Sequence, residues 1–512
     1  MGFVVLYVIF YMKKTLTFLV FTTVIISKVK AQSYVDDALR YSQYNIMGTA
    51  RIQAIGGAQT ALGGDIGAFG INPAGLGFYR KNDFAASAQL GFDNTSSLYF
   101  GSNNSNNKTT FSLPGVGVAF AHAKTGDTGF TNNWLGYTFG VALNRSNDFN
   151  SNYTFSGQNP TSSMTTSFAD MAYRNGLSDQ GTTATLADMA YDTFLIDAIS
   201  TPQGPSYAGL SENGNVKQFK NQRTSGATNQ IDISFAGNYG NRLFLGASLG
   251  VHTLHYKRDF LYNESDINDP GFNPIDANGN PVNVNNWNYN DYLLNDGNGI
   301  DVKLGAILRA NEMLRFGFSF HSPIWYNIRE EYNSAITSND QNNLLYSSNI
   351  NGIGYEYNLR TPIRLNGGAA VFFSKNGFIS ADIDYLDYST IKYSSNDATF
   401  DQVINTSISD RYKSAVNMRI GAEYKLDQIS LRAGYANYGT PYQDYKSNNQ
   451  FFTGGVGYRQ DNFYVDLTGV YKTLNQTVSP YTAITSSGAD ISPTANINNK
   501  HFNIMLTVGT RF

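Results

Sequence analysis

The chain has 512 residues, no cysteine and a formal net charge of −3. The missing cysteines exclude disulfides, thiolate metal sites and thiol nucleophiles, and the charge balance leaves no basic footprint for nucleic acid. Aromatic residues make up 14% of the chain while its mean hydropathy is only −0.30, which argues against a helical membrane protein and fits a β-barrel whose wall is apolar on one face only.

The amino end reads as an export signal. Lys13 and Lys14 form a charged region, and Thr15 to Ile26 is an apolar run too short to span a bilayer. Small or moderate side chains at Val29 and Ala31 predict cleavage before Gln32, so residues 1–31 are assigned as a signal peptide. The signal is complete from Met12, leaving Met1 and Met12 both open as the start.

Residues 32–82 follow as a Gly-rich segment. Gly56-Gly57, Gly63-Gly64, Gly67, Gly70, Gly75 and Gly77 permit tight turns, and the side chains are too small to build a core of their own. Such a segment needs an enclosure, and a barrel lumen would supply one. Pro73 fixes its own φ and constrains Asn72, which suits a defined turn.

From residue 83 to 512 the dominant period is two. Phe502, Ile504, Leu506, Val508, Thr510 and Phe512 share one face of the last strand; His501, Asn503, Met505, Thr507, Gly509 and Arg511 share the other. Ile300, Val302, Leu304, Ala306 and Leu308 alternate in the same way with Asp301, Lys303, Gly305 and Ile307. The predicted strands are long, and very short turns such as Gly240-Asn241 and Asp461-Asn462 alternate with long polar stretches, as in outer-membrane barrels. Fourteen antiparallel strands are predicted, at 83–92, 110–123, 133–146, 222–240, 242–262, 292–310, 313–334, 353–374, 377–394, 412–426, 428–440, 449–460, 462–477 and 500–512. The even count puts both termini in the periplasm. Phe512, ending an alternating strand, fits the signal that barrel-assembly machinery reads. Gly136 and Gly140 on the third strand are candidates for a kink in the wall, since glycine weakens a strand interior.

The longest outer loop spans about 147–221. Leu186, Ala190 and Phe194 recur at helical spacing there, with Met171 and Met189 nearby. One or two short helices are predicted, either a self-packed lid or a capture site for an apolar ligand using Met171, Leu186, Met189 and Phe194.

Other constellations carry little. His252 and His255 are three apart on a strand and point to opposite faces; His122, His321 and His501 are isolated. Asp276, Asn278 and Asn280 start like a calcium loop, but its twelfth position is Trp287. Asp382, Asp384, Arg309 and Arg315 are the inward charges of a polar lumen. No catalytic, metal or cofactor site is expected, and the chain is not expected to be an enzyme.

The stretch Ala61-Leu62-Gly63-Gly64-Asp65, followed by Asn72-Pro73-Ala74-Gly75-Leu76, resembles the amino-terminal hatch of the FadL-type long-chain fatty-acid and aromatic-hydrocarbon transporters. Weaker matches are Phe111-Ser112-Leu113-Pro114, Gly317 to Pro323, and Leu431 to Tyr435. The resemblance implies a monomeric barrel in the cell outer membrane, plugged by the hatch, with outer-membrane lipid and an apolar small molecule as its partners. It implies passive uptake of hydrophobic solutes through a lumen pocket, with Asn72, Pro73, Ala74 and Gly75 as the hatch motif, gating or architectural. Two alternatives stay open: a barrel partner in protein secretion, like the type IX shuttle, and a haemin receptor, as some relatives are called.

Overall fold

The computed structural model describes residues 34–512 except 124–132, 179–184, 202–203, 212–213, 268–273, 277, 445–448 and 485–489. The expected export signal and its cleavage point lie outside the described residues. No described helix is long and apolar enough to cross a membrane.

Fourteen antiparallel strands form one closed wall. In chain order they are β1 (Asp83–Tyr99), β2 (Ser102–Ala123), β3 (Trp134–Asp148, continued by Ser151–Asn159), β4 (Val216–Tyr239), β5 (Leu243–Ser265), β6 (Val284–Arg309) and β7 (Leu314–His321, continued by Trp325–Asp340). Then follow β8 (Leu345–Arg360, continued by Arg364–Phe372), β9 (Gly377–Asp387, continued by Lys392–Ser394), β10 (Ser414–Leu426), β11 (Ile429–Tyr438), β12 (Asn449–Gln460), β13 (Phe463–Val478) and β14 (Ala495–Arg511). Closure is direct: β1 pairs with β14 from Asp83 opposite Arg511 to Leu98 opposite Asn496.

The period-two pattern is the wall. Phe502, Ile504, Leu506 and Val508 face outward and exposed, while Met505, Thr507 and Gly509 are buried. Ile300, Val302, Leu304 and Leu308 do the same on β6. The tight turn between β4 and β5 has φ 60° at Gly240 and 55° at Asn241, the left-handed pair that suits the twist of a two-residue hairpin.

Several strands run further outward than the alternation predicts. β1 continues to Tyr99 and β2 begins at Ser102, and β3 resumes over Ser151–Asn159. In β1 and β2 the added stretches are largely polar on both faces, with Asp93, Thr95 and Ser97 inward and buried and Asn94 and Ser96 outward; in β3 the inward face carries Tyr153 and Phe155. Where no apolar face marks it, as over 93–97 and 102–110, the period is invisible in the sequence.

The kink candidates differ from each other. A register shift separates Trp134 from Gly136 in the β3–β4 ladder. Gly140 stands in continuous pairing, opposite Ala119 and Ser234. Rather than bending the strand, it leaves room for the Phe69 ring, whose Cε2 would lie 2.5 Å from an added Cβ. The strand interruptions fall at 149–150, 322–324, 361–363 and 388–391. Two of them carry a proline, Pro323 and Pro362, which cannot donate to the ladder. The Thr361 hydroxyl accepts from Ile324 N at 2.8 Å and bridges those two breaks.

Leu506 lies on the lipid face mid-way along β14. Leu506→Arg is expected to lower folding stability in phospholipid vesicles by about 2–4 kcal/mol, read by denaturant titration. An unchanged midpoint would mean that this face does not meet hydrocarbon.

Candidate functional site: a lumen filled in three tiers

The first tier is a plug at the short-turn end, built from residues 45–80. Short helical turns shape it: α2 (Ala50–Ala54), capped by Thr49, and two 3-10 turns, Ile66–Gly70 capped by Asp65 and Pro73–Phe78 capped by Asn72. Asn72 does two jobs. Its Oδ1 accepts from Ala74 N at 3.1 Å, and its Nδ2 donates to the Thr60 carbonyl at 2.7 Å, tying two plug turns together. Pro73, Ala74 and Gly75 are buried beside it.

The wall receives the plug through glycines and inward polar groups. An added Cβ on Gly305 would lie 2.0 Å from Asn72 Oδ1, on Gly246 2.4 Å from the Pro73 carbonyl carbon, and on Gly421 2.2 Å from the Ile55 oxygen. Asp382 accepts from Thr60 N at 2.9 Å and from its hydroxyl at 2.7 Å. The Thr453 hydroxyl accepts from Gly56 N at 3.0 Å and donates to Ala54 O at 2.9 Å. Arg51 pairs with Glu423 at 3.0 Å, and Arg432 joins Glu423 at 2.7 Å to Asp466 at 2.6 Å. Arg315 donates to Leu62 O at 3.0 Å. Of the inward charges read from the sequence, Asp382 and Arg315 thus hold the plug directly.

The second tier is a helix, α1 (34–42), seated above the plug among the outer halves of the strands. Val35, Ala38, Leu39 and Tyr41 pack against Tyr256, Leu293, Tyr326, Ile328, Tyr357 and Tyr412. Tyr34 donates to Glu330 at 2.9 Å, and the Tyr412 hydroxyl donates to Val35 O at 3.0 Å. Helix α5 (Ala398–Arg411) closes the slot from the side with Ile404 and Ile408. The lining around α1 is apolar and tyrosine-rich, and α1 fills the space it encloses. Between α1 and the plug lies a cavity of about 10 Å³ beside Tyr44, Met47, Arg364 and Arg419.

The third tier is the outer cap: α3 (Met164–Asn175), α4 (Leu186–Asp192) and a hairpin pairing Ile196–Thr201 with Gly204–Gly209. Met189 is fully buried in the cap's own core, with Met171, Leu186 and Phe194 partly buried against it. Phe194 meets the Tyr346 ring edge-on at 4.7 Å. These four side chains fill the space between the helices and the wall. Burial would raise the Asp188 carboxyl, but hydrogen bonds from Thr185 and Ser178 outweigh it and hold the group below its usual range. Glu264, on the outer end of β5, anchors the cap by accepting from Met164 N at 2.9 Å, Gln218 at 2.8 Å and Tyr262 at 2.7 Å.

Sequence reasoning missed α1 and α5. Both had a local signal: Val35, Ala38, Leu39 and Ser42 fall on one helical face, and Asp397 caps a run with Phe400, Ile404 and Ile408 at intervals of four. The histidines have other partners. His252 meets Asp301 at 3.0 Å, His255 meets Asp296 at 2.6 Å, and His321 meets Ile71 O at 2.9 Å. No group of three or more potential metal ligands occurs among the described residues.

Residues 214–491, more than half of the chain, match the model of the family described as outer membrane protein transport protein (OMPP1/FadL/TodX). The chain belongs to this family. It is an outer-membrane barrel of a family of transporters and channels, not of enzymes. Solved structures share its fold at low identity. A Pseudomonas aeruginosa FadL homologue is 11% identical, covering 91% of this chain and 98% of that one, with a TM-score of 0.53. The P. putida toluene transporter TodX is 14% identical, covering 92% and 99%, at 0.51. The CymD monoaromatic hydrocarbon channel is 13% identical, covering 92% and 99%, at 0.50. No curated protein sequence matches.

Two substitutions test the tiers. Gly305→Val intrudes on Asn72 and is expected to unseat the plug, turning a closed barrel into one that conducts ions in planar bilayers. Gly367→Val, where an added Cβ meets nothing within 4 Å, is the silent control. Glu264→Ala removes the acceptor for the α3 terminus. A loss of about 1.4 kcal/mol, typical for such bonds, corresponds to roughly tenfold faster protease nicking of the cap on intact cells.

Proposed function

We propose that this family member is a passive channel for hydrophobic small molecules, long-chain fatty acids or similar apolar solutes. The observation that carries the reading is the slot around α1. It is apolar and aromatic, it lies between a plug and a cap, and a body that is not part of the wall fills it. Burying Val35 and Leu39 stabilises the seated helix by roughly 1.5–3 kcal/mol per side chain, a sum that an apolar ligand of similar size can match. The TodX and CymD structures are named for toluene and monoaromatic hydrocarbons, chemistry that the same lining accommodates.

On this reading an apolar solute enters past the cap helices, where Met171, Leu186, Met189 and Phe194 give way to it, and displaces α1. The plug shifts afterwards, with Asn72, Pro73, Ala74 and Gly75 as the turn that moves, and Gly136 marks the weak point of β3. No cofactor takes part. The barrel works as a monomer in outer-membrane lipid, and assembly machinery recognises the strand ending at Phe512.

The test compares uptake of labelled oleate and of labelled toluene in cells with the gene, without it, and with residues 34–42 deleted. Uptake of at least one solute is expected to require the gene. The purified deletion variant is expected to bind that solute about tenfold more tightly, since no helix has to leave. If neither uptake depends on the gene, the channel reading fails; if the deletion weakens binding, α1 is part of the site and not its occupant.

A further inference from the structure

Above the apolar band the outer face of β4 to β8 turns polar and concave. Val251, Ile300 and Trp325 are exposed apolar residues at the top of the band. Outward of them stand the His255–Asp296 pair, Arg329, Glu331 and Glu356. Beyond these, a cavity of about 320 Å³ opens on the outside of the wall. From Val251 to Asp259 is about 26 Å of strand, so at barrel tilt the groove lies roughly 20 Å beyond the hydrocarbon.

Register assembles the groove from five strands. Arg223 stands opposite Asp259, Asp259 opposite Tyr292, and Tyr292 opposite Asn333. The next row runs from Asn221 through Leu261 and Asn290 to Ala335. The far wall is a bulge of β8, where Gly352 has φ 66° and donates to Asn333 Oδ1 at 2.7 Å. The row from β4 to β8 is about 19 Å long.

The chemistry of this lining is specific. The amide of Asn290 and the guanidinium of Arg223 lie exposed, and among the described residues neither has a hydrogen-bond partner in the protein. Lys257 sits 5.0 Å from the Tyr292 ring and 3.5 Å from Asp259. Asp259 is taken by Lys257, which leaves the Arg223 guanidinium of the lining without an ion-pair partner among the described residues. An apolar solute would bury these amides and charges unpaired, at a cost. An added protein strand has no free edge here, because β5, β6 and β7 are paired on both sides. A chain of hydroxyls that each donate and accept, with a flat C–H face for Tyr292 and an acidic substituent for Arg223, satisfies every group.

We propose that the outer groove between β4 and β8 binds an anionic saccharide chain lying on the membrane surface. This site is independent of the lumen and of the solute that passes through it.

The purified barrel in detergent is titrated by calorimetry with a deacylated, phosphorylated lipopolysaccharide core oligosaccharide, with intact lipopolysaccharide and with neutral maltohexaose. The comparison is with Arg223→Ala/Tyr292→Ala, whose folding is checked by its heat-modifiable gel migration. The deacylated oligosaccharide is expected to bind, and the double variant to weaken it at least tenfold. Equal affinity of the intact lipid places the whole recognition in the sugar; tighter binding of the intact lipid, still lowered by the variant, names the glycolipid as its source. The proposal falls if the deacylated oligosaccharide does not bind, if the folded variant binds it unchanged, or if maltohexaose binds as tightly.

Discussion

A closed barrel uses up its own backbone. Along the continuous ladders of the wall the N–H and C=O groups are paired with a neighbouring strand, as bilayer hydrocarbon requires. Whatever closes the lumen must then be held by side chains and by shape. The plug shows both. Inward Thr453, Asp382 and Arg315 supply the hydrogen bonds that strand edges cannot, and Gly246, Gly305 and Gly421 let plug backbone lie directly on wall backbone. At Gly434 the plug supplies a glycine as well, since an added Cβ there would lie 2.2 Å from Gly56 N.

The same constraint divides the lumen chemically. The plug interface is ionic and hydrogen-bonded, with the chain from Arg51 through Glu423 and Arg432 to Asp466 buried in it. Removing one partner of such a set leaves a buried charge uncompensated, so the seat is specific even where its net stabilisation is small. The α1 interface is of another kind. It is mainly tyrosine, leucine and isoleucine, joined by bonds of Tyr34 to Glu330, Tyr412 to the Val35 carbonyl and Tyr41 with Asn295, and by the Asp36–Arg411 ion pair.

How much of this was legible follows from where the physics leaves a pattern. The wall was legible wherever one face meets lipid: residues 300–308 and 502–512 give the register directly. The outer extensions were not, because Asn94, Thr95, Ser96 and Ser97 give both faces the same polarity. The Asn72-Pro73 turn could be inferred from local chemistry, but its contact with Gly305 is long-range and leaves no local trace. The cap residues Met189 and Phe194 were visible as a helical stripe, and the stripe alone does not say whether it faces a ligand or its own core. Helix α1 was hidden for a different reason. Its apolar face is short, and it stands before the Gly-rich stretch that draws the eye.

The contrast between the two inner interfaces bears on the proposed channel. An apolar solute cannot replace the groups that hold the plug, because it offers Glu423 and Asp382 nothing in exchange. On the proposed reading it would replace the apolar face of α1, whose contacts with Tyr256, Leu293, Ile328 and Tyr357 are of its own chemical kind. A ligand shifts a conformational equilibrium only through the difference in its affinity for the two states. That difference is largest for the state in which α1 has left and the plug still stands. On this reading the solute first takes the place of a helix, and the ionic seat below keeps the barrel sealed while it does so.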